Sequence, residues 1–110
     1  MALQVLLIQI DLSIHQKLLK HMYMVIHYKN IQDFTELVGI QKKILQKSAS
    51  YVKDGGTLVY STCTVNMDEN HNQVMNFLGN NPEFKLISEK QFLPTENIDG
   101  FYVCKMVKNK

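Results

Sequence analysis

The chain has no arginine: all twelve of its basic residues are lysine, against ten acids, for a net charge of +2. Without guanidinium groups it cannot form planar bidentate clamps on phosphate, and only lysine point charges remain. So small a net charge does not by itself indicate a nucleic-acid partner. Cysteine is scarce, with only Cys63 and Cys104. Two cysteines make no disulfide framework, and their separation matches no zinc pattern. No run approaches the ~18 apolar residues of a membrane helix. The opening MALQVLLIQID lacks a positive n-region and a small-residue cleavage site, so it does not read as a secretory signal. A reducing cytoplasm is the expected compartment. His15, His21 and His27 are six residues apart. That spacing is about 240° net on a helix, so they share no face and read as surface side chains rather than metal ligands.

What is present is an ordinary globular balance. The chain has 110 residues, 45% hydrophobic and 20% charged, enough for one small domain or a piece of a larger one. Residues 1–53 carry seven Lys against three acids, and residues 54–110 carry five Lys against seven acids. The mildly basic first half reads as solvated surface.

Residues 4–10, QVLLIQI, are rich in Val, Leu and Ile on consecutive positions and predict a strand buried on both faces, with a short buried helix as the competing reading. Leu12, Leu18, Leu19, Met22, Val25 and Ile26 fall near helical spacing and predict a helix within 13–28. Over 31–53, Ile31, Phe34, Leu37, Val38, Ile44, Leu45, Ala49 and Val52 form an apolar stripe, with the lysines mainly off it. This amphipathic helix is ended by Asp54-Gly55-Gly56. TLVYST, residues 57–62, has the β-branched and aromatic composition of a strand. A second helix is expected to start near Asn66, a good N-cap, with Glu69 completing a capping-box pattern. Val74, Phe77 and Leu78 give its apolar stripe, and Gly79 and Pro82 its end. Residues 84–88, FKLIS, alternate like a strand. Asp99-Gly100 marks a turn, and 101–107, FYVCKMV, a final strand. The alternation of strands and helices predicts an α/β fold: a parallel sheet with helices on its faces, closed by an antiparallel edge strand.

In an open α/β sheet, chemistry gathers at the carboxyl ends of the strands. Cys63 lies there, just after Thr57–Thr62 and before the expected helix, whose N-terminal partial charge and free N–H groups favour a thiolate. Position alone leaves two readings open, an activated nucleophile or a buried apolar filler. Cys104, mid-strand between Val103 and Lys105, reads as packing.

The run Gly55-Gly56-Thr57-Leu58-Val59-Tyr60-Ser61-Thr62-Cys63-Thr64-Val65-Asn66 resembles the RNA cytosine-5 methyltransferases of the Sun/Fmu (NOL/NOP/Sun) type, in particular those that act on bacterial 16S rRNA. The likeness continues in Glu69-Asn70, in Asn81-Pro82-Glu83-Phe84 and in Asp99 through Met106, and the 31–52 helix with Gln41, Leu45 and Ala49 also fits. It covers about residues 31–108. The resemblance implies a Rossmann-like domain that uses S-adenosylmethionine, an rRNA substrate, and catalysis by the cysteine of the Ser-Thr-Cys motif. That cysteine attacks carbon 6 of a cytosine so that carbon 5 accepts a methyl group, and it maps to Cys63.

Other parts of the family pattern are not in this sequence. It has no glycine-rich cofactor loop, its first glycine being Gly39. Asp11 could stand for the acid that ends the family's fourth strand, but no Pro-Cys pair follows it. The expectation is a divergent lead-in over 1–30, with a strand at 4–10 and a helix, then the carboxyl-terminal part of a methyltransferase catalytic domain over 31–110. Such a fragment, from a truncated or interrupted gene, would carry the nucleophile but be inactive alone and bind no S-adenosylmethionine. It would self-associate or use a missing N-terminal half in trans. The alternative is a non-catalytic α/β module that binds RNA or protein.

Overall fold

The computed structural model describes residues 4–11, 21–28, 34–96 and 100–109. Among these residues, five strands form one sheet: β1 (Gln4–Asp11), β2 (His21–Tyr28), β3 (Thr57–Thr62), β4 (Phe84–Phe92) and β5 (Phe101–Lys108), with helices α1 (Phe34–Ala49) and α2 (His71–Asn80). The spatial order is β2-β1-β3-β5-β4, and every neighbouring pair is antiparallel. The expected parallel pairing is therefore corrected, while the edge strand does pair antiparallel. Two helical crossovers do join strands of like direction, β2-α1-β3 and β3-α2-β4. In each, an antiparallel strand is inserted between the two, β1 in the first and β5 in the second. Strand β5, expected at the edge, is interior, and β4 takes the edge.

The helix expected within 13–28 is corrected over 21–28, which is a strand. Residues 21–28 pair with β1 along its whole length, Gln4 against Tyr28 through Asp11 against His21. Tyr23, Val25, Ile26 and Tyr28 suit a strand, and partnership with β1 overrides the helical spacing of Met22, Val25 and Ile26. Residues 12–20, which include the remaining stretch of that expectation and His15, lie outside the described residues, as do Ile31 and Asp99.

Helix α1 follows its stripe. Leu37, Leu45, Ala49 and Val52 are buried, with Ile44 partly so. The helix stops at Ala49 rather than Val52 because its last turn tightens: Ser50, Tyr51 and Val52 donate backbone N–H groups to Lys47, Ser48 and Ala49. Gly55 then turns the chain at φ 82°, and its N–H bonds the Lys108 carbonyl at 2.8 Å, which ties the start of β3 to the end of β5.

Alternation puts Leu58 and Tyr60 of β3, with Tyr102, Cys104 and Met106 of β5, on one face of the sheet, in the same core as Val74 and Phe77 of α2 and the α1 stripe. Both helices thus cover this one face, not both faces as expected. On the other, Val59, Val103 and Val107 stay half-buried and Lys105 exposed. Phe77 and Phe84 lie 5.2 Å apart, fastening α2 to β4. Gln46 of α1 and Asn81, the α2 C-cap, exchange a reciprocal pair of amide hydrogen bonds, both 2.9 Å.

Candidate active site

Strand β3 ends at Thr62, and Cys63 follows at a bend, exposed, while Ser61 and Thr62 before it are buried. Cys63 is thus the only exposed one of the two free cysteines. Cys104 faces the core, and burial pushes its thiol up to about 12.

The segment after Cys63 departs from the capping-box expectation. Helix α2 starts at His71, not beside Asn66. Residues 67–70 form a turn in which the Asn66 side chain accepts the Asp68 N–H at 2.8 Å, and the Asn66 carbonyl accepts the N–H groups of Glu69 and Asn70. These N–H groups, expected free beside a thiolate, are therefore already bonded. Glu69 does not reach back to Asn66. It is buried, accepts the Gln41 side-chain amide at 2.9 Å, and burial raises its carboxyl above the usual range, opposed by that bond. Its carbonyl accepts the Tyr60 hydroxyl at 2.7 Å.

Asn70, the last residue of this turn and the N-cap of α2, is buried. The Thr62 hydroxyl donates to its Oδ1, and its Nδ2 donates to the Thr64 carbonyl at 2.8 Å and to Gln91 Oε1 at 2.7 Å. The two N–H groups of Gln91 Nε2 are in turn shared among the carbonyls of Thr64, Phe92 and Phe101, at 3.0–3.1 Å. A β-bulge at Ile87 aims Gln91 here. Leu86 pairs with Met106 but Ser88 with Lys105, so Glu89 and Gln91 fall opposite Cys104 and Tyr102, on the helix face. Glu89 accepts the Tyr102 hydroxyl at 2.8 Å and meets His71 Nδ1 at 2.6 Å. Gly100, at φ 119°, lets Val65 and the Phe92 carbonyl close on the loop: a Cβ there would lie 2.6 Å from Val65 Cγ1.

Asp11 is not brought to Cys63. Leu6 of β1 pairs with Thr62, while Ile10 pairs with Leu58, so Asp11 sits at the opposite end of the sheet. Sequence reasoning did not find Gln46, Gln91 or the bulge that turns Gln91 inward. The resemblance did point to Gln41 and to the Glu69-Asn70 pair. Among the described residues, no three His, Cys, Asp or Glu side chains group to hold a metal, and no helix is long and apolar enough to cross a membrane.

A family model described as 16S rRNA methyltransferase RsmB/F matches residues 16–107, starting within the segment expected as a lead-in. The chain is 38% identical over 86 residues to ribosomal RNA small subunit methyltransferase B of Pectobacterium atrosepticum, covering 71% of this chain and 20% of that protein. It is 41% identical over 91 residues to the protein of the same name in Pasteurella multocida, covering 73% of this chain and 20% of that protein. These matches define the class as ribosomal RNA methyltransferases. Within it, the chain belongs to the 16S rRNA methyltransferase RsmB/F family. It spans about a fifth of the length of the curated relatives it matches.

Proposed function

We propose that this chain is the nucleophile-bearing, carboxyl-terminal part of an S-adenosylmethionine-dependent rRNA cytosine-5 methyltransferase, with Cys63 as the attacking thiol. One observation carries the reading: the cysteine of the Ser-Thr-Cys run is exposed at the carboxyl end of a buried strand, while Cys104 is sealed in the core. As a thiolate, Cys63 Sγ adds to carbon 6 of a cytosine. The S–C6 bond forms, and the C5–C6 π pair moves towards carbon 5, which becomes nucleophilic. Once carbon 5 has taken a methyl group from a donor bound outside these residues, loss of its proton to a base and cleavage of the S–C6 bond would restore the double bond and the free thiolate. The β3-β5-β4 part of the sheet, with β3 and β4 in the same direction around an antiparallel β5, would be one edge of a Rossmann-like methyltransferase sheet.

The described residues do not fit S-adenosylmethionine by themselves. Gly39 and Gly79 lie inside helices, Gly55 and Gly56 sit at the end of β3 opposite Cys63, and Gly100 packs against Val65. None forms a glycine-rich loop at a strand's carboxyl end. The donor site is therefore supplied from outside these residues. Isothermal titration with S-adenosylmethionine to millimolar concentration should show no binding, and micromolar affinity would overturn this part of the reading.

The nucleophile itself is tested with a 16S rRNA fragment in which 5-azacytosine replaces cytosine, since attack at carbon 6 traps the thiol. A covalent adduct that survives denaturing electrophoresis and is lost in Cys63→Ala is the expected result. RNA association unchanged by Cys63→Ala, with no adduct from the parent chain, would instead make the chain a binding module.

A further inference from the structure

We propose that Asn70 is the positioning residue of Cys63, latching together the two residues that flank it; this rests on the reading of Cys63 as the nucleophile. Before Cys63, the Thr62 hydroxyl donates to Asn70 Oδ1; after it, the Thr64 carbonyl accepts Asn70 Nδ2 at 2.8 Å. Only a primary amide offers one acceptor and two donors in so small a side chain, and here all three are used, the second N–H going to Gln91 Oε1. Asn70 is 1% exposed, so water does not compete for these bonds. Gln91 closes the latch from the edge strand: it bonds the same Thr64 carbonyl and joins it to the Phe92 and Phe101 carbonyls.

The loop that carries an exposed thiol is thereby held at both flanking residues while the thiol itself stays outside. Attack on a ring carbon needs the sulfur within about 3–3.5 Å and correctly aligned, whereas alkylation by a small reagent needs only access. The latch therefore bears on the first reaction and not the second.

Three variants of the full chain test this. In Asn70→Ala, hydrogen exchange of the amides over 63–66 should rise about tenfold, while amides within β3 and β5 stay within about twofold. Asn70→Asp keeps the acceptor for Thr62 but loses both donors, and should fall between the parent and Asn70→Ala. Gln91→Ala, at an exposed position, should loosen the same loop even if the buried variant folds poorly. With azacytosine RNA, adduct formation should fall about tenfold in Asn70→Ala, while iodoacetamide alkylation of Cys63 stays within about threefold. Loop exchange that is unchanged, or that rises equally throughout the chain, would overturn the latch, as would adduct formation and alkylation falling together. Should the parent chain form no adduct, the nucleophile reading fails, and the exchange data still decide the latch.

Discussion

Glu69 is a buried carboxyl whose pKa burial raises, with the Gln41 amide at 2.9 Å opposing the shift. An acid of this kind binds more protons folded than unfolded. Its contribution to stability is fully present below its ordinary value of 4.5 and is lost as pH rises through the raised folded value. Glu69→Gln keeps the shape and removes the titration. Urea unfolding at a series of pH values from acid to neutral should therefore show a stability loss in the parent that the variant lacks; the same slope in both would contradict the assignment. The resemblance drew attention to Glu69 and Asn70, but nothing in the sequence showed what they do. Their partners, Gln41 and Gln91, are 28 and 21 residues away and meet them only through the fold.

Among the elements, α1 and α2 were legible from their apolar stripes, and β3 and β5 from their composition, because each of these signals is local. The second strand was not. Residues 21–28 carry apolar side chains at helical spacing, and what makes them a strand is backbone pairing with β1. The start of α2 was misplaced because Asn66 and Glu69 look like a capping box, whereas Glu69 turns into the core to meet Gln41. The Gln46–Asn81 pair, which joins α1 to the end of α2, was likewise invisible. Its two reciprocal bonds should show as a coupling of about 1 kcal/mol in a double-mutant cycle of Gln46→Ala and Asn81→Ala, read from chemical unfolding. Strict additivity would mean that the pair holds nothing together.

In the whole molecule, the helical crossovers join strands of like direction, as the alternation of elements implied. A sequence does not record which later or earlier strand will insert between them, and two antiparallel insertions changed every pairing. Both helices cover one face, so that face carries the stability. Leu58→Ala, under the helices, should cost about 3 kcal/mol, and Val59→Ala, on the open face, about 1 kcal/mol or less. Equal losses in thermal or urea unfolding would mean that the two faces are covered alike. The same one-sided burial separates the two thiols, sealing Cys104 at 0% exposure and leaving Cys63 at the open end of β3. Peptide mass mapping after iodoacetamide treatment of the folded chain tests that separation most directly. Label on Cys63 alone, with Cys104 modified only after unfolding, is the predicted result. A folded chain that takes label on Cys104, or leaves Cys63 unmodified, would contradict it.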